Sequence, residues 1–133
     1  MPGAELPGVH LLRTLDDALA LRDDLHEAAR TGSPVVVVGG GFIGSEVAAT
    51  ARGLGCQVTL VVPDDVPLRA ALGPYADAVG DLHASHGVTI RPHARVQGVG
   101  LSGVEGLEGI LADGSRIPAA TVVLGIGATP AVG

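Results

Sequence analysis

The chain has no tryptophan, lysine or asparagine, and its aromatic fraction is only 2%. The absence of lysine excludes a phosphate-binding P-loop and Schiff-base catalysis, because each of them needs a lysine side chain. The single cysteine, Cys56, excludes an internal disulfide and a paired-cysteine redox motif. Because aromatics are scarce among the 47% hydrophobic residues, the core must be aliphatic, which favours a parallel sheet buried on both faces.

Long apolar segments and strong positive charge are also absent. No apolar run approaches the roughly 20 residues of a membrane span and no signal peptide is visible, so a cytoplasmic location is expected. The net charge of −6, without a basic cluster, argues against nucleic acid and anionic membranes as partners. The length of 133 residues predicts one domain, and basic residues that are all arginine indicate a GC-rich bacterial genome.

The most informative segment present is a four-valine run that ends at a glycine cluster. Gly39, Gly41 and Gly44 have the G-x-G-x-x-G spacing of a dinucleotide-binding turn. The first glycine would allow a sharp turn, the second would let a pyrophosphate approach the backbone, and the third would let a helix pack close to the strand. The helix would then offer free N–H groups and its positive dipole end to the phosphates. The alternative is a glycine-rich packing turn without a ligand.

Hydrophobic periodicity predicts the elements around this turn. Residues 1–13 contain proline and glycine without a clear period and are interpreted as a linker, and a helix is expected from residue 14 to 30. Strands are predicted at 35–38, 58–62, 88–90 and 121–124, with helices at 45–54 and 75–85. Short segments between 95 and 117 predict an antiparallel meander. The expected fold is α/β, Rossmann-like and three-layered, with a central parallel sheet and a small antiparallel β-meander.

In this order the segments resemble the NAD(H)-binding domain of the FAD-dependent pyridine nucleotide–disulfide oxidoreductases, and within them the ferredoxin (rubredoxin) reductases. The resemblance covers nearly the whole chain. It is carried by four segments, namely residues 7–18, Gly39–Glu46, Leu111–Gly114 and Val122–Pro130. It implies residues 1–13 as a linker from an FAD domain that is not in this chain, and residues 14–133 as the NAD(H)-binding domain.

The resemblance also implies a function. The chain is expected to present NADH for hydride transfer to a flavin held by other domains of a larger oxidoreductase, with a ferredoxin as electron acceptor. The chain alone is expected to lack catalytic residues and catalytic competence. One alternative is a degenerate nucleotide-binding or structural module, and another is the corresponding domain of an NADH oxidase or nitrite reductase of the same superfamily.

Candidate cofactor-binding residues follow from the resemblance position by position. The carboxylate of Glu46 would accept a hydrogen bond from the nicotinamide carboxamide, or would serve only as an acid in the first turn of a helix. The turn at residues 125–127 would pack along the nicotinamide ribose and ring, or would only end a strand. Pyrophosphate contacts are expected from the glycine motif and the two residues between its last glycines. The full set is Gly39, Gly41, Phe42, Ile43, Gly44, Glu46, Asp64, Asp65, Gly125, Ile126 and Gly127.

The sequence departs from the family pattern at the end of the second strand. A dinucleotide site usually has an acidic residue there for the adenosine ribose hydroxyls, but Val62 aligns with that position. Asp64 and Asp65 are expected to substitute if the loop bends back, and the alternative is two solvated loop acids. Two carboxylates would repel a 2′-phosphate, so NADP is disfavoured.

A metal site is not expected, although the chain has five histidines. His83 and His86 lie three residues apart on a predicted helix, but no cysteine or acidic residue completes a recognisable ligand spacing. Exposed or helix-capping histidines are therefore the favoured interpretation.

Overall fold

A computed structural model describes residues 3–11, 15–39, 41–101 and 106–125. The strands are β1 (Val9–Leu11), β2 (Pro34–Val38), β3 (Gln57–Val61), β4 (Thr89–Arg91), β5 (Val96–Leu101), β6 (Leu107–Leu111), β7 (Arg116–Ala119) and β8 (Thr121–Leu124). The helices are α1 (Leu15–Thr31), α2 (Phe42–Gly53), α3 (Arg69–Leu72) and α4 (Ala76–Ser85), and a 3₁₀ turn lies at Gly73–Tyr75.

Five parallel strands form the central sheet in the order β1-β8-β2-β3-β4. The last described strand, β8, therefore lies between β1 and β2, and Val38 of β2 pairs in register with Leu124 of β8. The remaining strands form an antiparallel sheet in the order β5-β6-β7. The predicted α/β fold, with a parallel sheet and a small antiparallel meander, is confirmed.

Both faces of the parallel sheet are buried, as the continuous apolar strands predict. On one face, Val35 and Val37 pack with α1 and α2, to which Leu25 and Ala48 belong. On the other face, Val36 packs against residues of the meander. Alternate residues of β2 thus serve two cores, and the helices, the parallel sheet and the meander form three layers.

Part of the segment predicted as a linker, residues 1–13, forms a strand of the central sheet. Val9–Leu11 form β1, the outer strand of the central sheet, and Val9 pairs with Val122 of β8. The imidazole Nε2 of His10 lies 2.7 Å from a carboxylate oxygen of Asp24, which ties β1 to α1. These residues therefore belong to the domain. Within the described ranges, no helix is long and apolar enough to cross a membrane.

Candidate nucleotide-binding site

The candidate site lies where β2 and β8 end side by side. Both strands are parallel, so Gly39 and Gly125 follow them at the same edge of the sheet. A Cβ atom added to Gly125 would lie 3.1 Å from the Val38 carbonyl oxygen and 3.3 Å from the Gly44 nitrogen. Ligands of open α/β sheets bind outside the carboxyl ends of the strands, and this is such an edge.

The three motif glycines have three different geometries. Gly39 has a φ of +110°, which the sharp turn off β2 requires, and its N–H donates to the Val61 carbonyl. A Cβ at Gly44 would lie 2.2 Å from the Gly39 carbonyl oxygen, so only glycine lets α2 start this close to the strand. A Cβ at Gly41 would meet nothing within 4 Å, so that the surface beside it is open to a ligand.

Helix α2 begins at Phe42, three residues earlier than predicted, because Gly41 with extended backbone is its N-cap. Among the residues that the structure describes, no side chain caps this end, so its N–H groups are available to an anion. Phe42 is 58% exposed and Ile43 is 36% exposed. We call Gly39 and residues 41–44 the glycine turn.

Glu46 lies beyond the first turn of α2, on the carboxyl-terminal side of the glycine turn. It is the fifth residue of α2 and is exposed, and no acidic residue occupies the first turn of this helix. The interpretation of Glu46 as a first-turn acid is therefore wrong, since the dipole effect fades beyond that turn. Its side chain lines a groove between α1 and α2 together with Ala18 and Arg22. Its contact with a nicotinamide carboxamide stays a prediction.

A second cleft, of about 250 Å³, opens beside the glycine turn. It is lined by Gly41 and Phe42 on one side and by Asp64, Leu68 and Arg69 on the other, and we call it the Gly41–Arg69 cleft. Asp64 is exposed at this cleft, and within the described ranges no side chain bonds to its carboxylate. The loop after β3 therefore brings Asp64 next to Gly41, as a substitute for the missing ribose-binding acid requires.

Asp65 has a different environment from Asp64. Its two carboxylate oxygens accept from Nε and Nη2 of Arg69, each at 2.8 Å. The hydrogen bonds from Arg69, together with the nearby guanidinium charge and backbone N–H groups, lower the pKa of Asp65 to about 2. The Asp65 carboxylate is already bonded to Arg69. Asp64 and Asp65, which the sequence analysis assigned the same role, therefore have different environments.

Val62 is fully buried and packs in the core between the sheet and the helices. Its N–H donates to the Arg91 carbonyl, and its own carbonyl accepts from the N–H of Ala94. The position that aligns with the usual acid therefore serves packing in this chain. Of the predicted turn at residues 125–127, only Gly125 is described, and Ile126 and Gly127 lie outside the described residues.

A buried contact between α2 and α4 escaped sequence reasoning. The hydroxyl of Ser45, in the first turn of α2, lies 2.6 Å from Nε2 of His83 on α4. Burial and the nearby His86 lower the pKa of His83, which favours the neutral imidazole. The expectation of an exposed or capping residue is wrong for His83, because residues 38 positions apart offer no local signal. Within the described ranges, no group of three or more potential metal ligands occurs.

The fold and this edge define an α/β domain with a glycine-rich turn at the crevice between two parallel strands. A family model described as pyridine nucleotide-disulphide oxidoreductase matches residues 1–132. The chain therefore belongs to the pyridine nucleotide–disulfide oxidoreductase family, which confirms the resemblance inferred from the motifs.

Similar proteins agree with this assignment. The chain is 41% identical to the ferredoxin–NAD(+) reductase component of a p-cumate 2,3-dioxygenase system from Pseudomonas putida, over 92% of the chain and 29% of that protein. It is also 41% identical to a chloroplastic/mitochondrial monodehydroascorbate reductase from Arabidopsis thaliana, over 98% of the chain and 26% of that protein.

A solved structure gives the same result. The ferredoxin reductase for the CYP199A2 system from Rhodopseudomonas palustris superimposes with a TM-score of 0.83 at 32% identity. The match covers 96% of this chain and 31% of that one. The chain thus spans less than a third of the length of these relatives.

Proposed function

We propose that this chain is the NAD(H)-binding part of an FAD-dependent ferredoxin reductase. The observation that supports this most is the glycine turn, where Gly41 is open to a ligand while Gly44 is closed against Gly39. The uncapped start of α2 points to an anionic group of the ligand. The relatives named as ferredoxin reductases favour this family branch.

Three parts of this chain would each contact a different part of the dinucleotide. The N–H groups at the start of α2 would donate to the pyrophosphate, because no side chain competes for them. Gly125 would allow the nicotinamide ribose to pass close to the end of β8, next to Gly44. Asp64 would accept from the adenosine ribose hydroxyls at the Gly41–Arg69 cleft. NADH is favoured over NADPH because Asp64 and Asp65 would repel a 2′-phosphate.

The chemistry of the whole enzyme belongs to its cofactors. When bound, the nicotinamide and the flavin would provide the hydride-transfer chemistry and the one-electron transfer to a ferredoxin. The contribution of this chain is to bind the dinucleotide, to orient it and to exclude water from it. No described residue is assigned a bond-making role.

The test is calorimetric titration of the chain with NADH, NADPH and FAD, together with the variant Gly41→Val. The added side chain meets no protein atom at its Cβ, so we expect the fold to persist while the pyrophosphate is blocked. We expect NADH affinity to fall by at least about tenfold, the value of one hydrogen bond to a charged group. Gly53→Ala, on the same helix and equally open, is the matched control.

The degenerate-module alternative is favoured by one observation, the burial of Val62 where an acid is usual. It makes an opposite prediction for the same titration, since none of the three compounds would bind. NADH binding that Gly41→Val leaves unchanged would also contradict the proposed site.

A further inference from the structure

Arg69 is the cation that lines the Gly41–Arg69 cleft, in the part of the chain that the structure describes. Arg69 lines the same cleft as Asp64, where the adenosine end of the dinucleotide would lie under the proposed function. An arginine there is the residue type that binds a 2′-phosphate, because its planar fork matches a phosphate with two parallel hydrogen bonds.

This arginine is already bound by its own protein. Nε and Nη2 donate to Asp65, Nη2 also donates to Asp77 at 2.6 Å, and Nη1 donates to the Gly73 carbonyl at 2.8 Å. Four of the five N–H groups of a guanidinium are thereby used. The side chain is only 27% exposed, and both carboxylates hold it from the loop and from α4.

The residue that precedes Arg69 has an unusual backbone conformation. Leu68 has a φ of +64°, a left-handed conformation that is uncommon for a leucine, and it starts the four-residue helix α3. Its side chain is 8% exposed, so burial offsets the backbone strain. Arg69 therefore directly follows a buried residue, and its side chain is held by Asp65 and Asp77.

The charges around the cleft add to the effect. Asp65 and Asp77 contact the guanidinium, and Asp64 lines the same cleft as Arg69. These three carboxylates and one guanidinium leave two net negative charges. The hydrogen bonds and charges of Asp65 and Asp77 raise the pKa of Arg69, so that the cation persists at every ordinary pH. A 2′-phosphate would meet this excess of negative charge, with only one N–H group of Arg69 left to donate to it.

We propose that Asp65 and Asp77 set the preference for NADH over NADPH by holding Arg69, and that releasing Arg69 makes the cleft a 2′-phosphate site. The inference rests on the proposed function, since it concerns the adenosine end of the same dinucleotide. It assigns Asp65 a role other than contact with the ribose hydroxyls.

The experiment is titration of the chain and of Asp65→Asn/Asp77→Asn with NADH, NADPH and adenosine 2′,5′-bisphosphate. We expect NADPH affinity to rise roughly ten- to a hundredfold, as for one new charge-assisted contact, while NADH affinity stays within about threefold. Adenosine 2′,5′-bisphosphate should gain in parallel with NADPH. Adding Arg69→Gln to the double variant should remove the gain.

The matched control is Asp23→Asn/Asp81→Asn, which removes two exposed carboxylates that make no contact with Arg69. An equal gain of NADPH affinity in this control would overturn the inference, because general charge would then explain it. Unchanged NADPH affinity in the double variant, with NADH still bound, would overturn it and leave the proposed function intact. Absence of NADH binding to the unmodified chain would reject both. Asp77→Asn alone keeps the Asp65 pair and serves if the double variant unfolds, with a gain of several-fold expected.

Discussion

The glycine turn and the loop after β3 face each other across the Gly41–Arg69 cleft, but they are built differently. The glycine turn depends on backbone geometry, and side chains are absent where they would collide. The loop depends on side chains, in which Arg69 joins Asp65, Asp77 and the carbonyl of Gly73. We call the glycine turn the backbone half of the site and the loop after β3 its side-chain half. The backbone half has the geometry that the motif predicts, whereas the side-chain half depends on ion pairs and hydrogen bonds that the motif does not specify.

The largest expected effect comes from Gly44→Ala, which breaks the backbone half. Its Cβ would lie 2.2 Å from the Gly39 carbonyl oxygen, so α2 must move away from β2. We expect the free energy of unfolding to fall by about 3 kcal/mol, as for an overpacked core. Urea denaturation measures this free energy of unfolding, and Gly53→Ala is the control. Equal stability of the two variants would contradict the close packing.

Ser45→Ala should have a smaller effect, because it removes one side chain that joins α2, which begins at the glycine turn, to α4. The variant leaves the buried His83 without the partner that α2 provides. The expected loss is about 1–2 kcal/mol in the free energy of unfolding, the cost of an unsatisfied buried group. Ser85→Ala, which alters an exposed hydroxyl on the same helix as His83, provides a control in the same denaturation experiment. A similar loss in both variants would show that the Ser45–His83 contact is not special.

The pH dependence of stability should report the burial of His83. The native pKa of His83 lies below its ordinary value of 6.5, so the unfolded chain takes up a proton first as the pH falls. Stability is then fully present above pH 6.5 and declines below it, with a slope of at most about 1.4 kcal/mol per pH unit for one proton. In His83→Gln this slope should flatten. An unchanged profile would mean that His83 titrates normally.

The smallest expected effect is that of Asp64→Ala on the side-chain half. We expect NADH affinity to fall about threefold to tenfold, because an exposed carboxylate competes with water for the ribose hydroxyls. Asp81→Ala removes the same charge from α4 and should leave the affinity unchanged. Titration of both variants compares them directly, and equal affinities would remove Asp64 from the site.

Local signals explain which parts of the fold could be predicted. The valine run, the glycine spacing and the Asp113–Gly114 turn each lie within a few residues, and β2, α2 and the meander were expected from them. The strand β1 has only three residues between glycine and unpatterned sequence, and it exists because of its pairing with β8. Its stability comes from distant residues, which a local pattern does not contain.

The candidate site likewise has some features that local sequence predicts and others that depend on distant residues. The geometry of Gly39 and Gly44 follows from their spacing, whereas the bond between Ser45 and His83 depends on how α4 docks. The i, i+4 spacing of Asp65 and Arg69 was a usable signal for their ion pair. It does not indicate that Asp77 also joins the pair, because that contact requires the turn at Gly73.

The position of β8 has a consequence for how the domain assembles. Synthesis proceeds from the first strand to the last, yet β8 must be inserted between β1 and β2. Until β8 is inserted, the edge of β2 with which β8 pairs is apolar and unpaired, and the crevice next to Gly125 has not formed. Such distant pairing slows folding and exposes intermediates to aggregation. The insertion of β8 therefore completes both the sheet and the crevice.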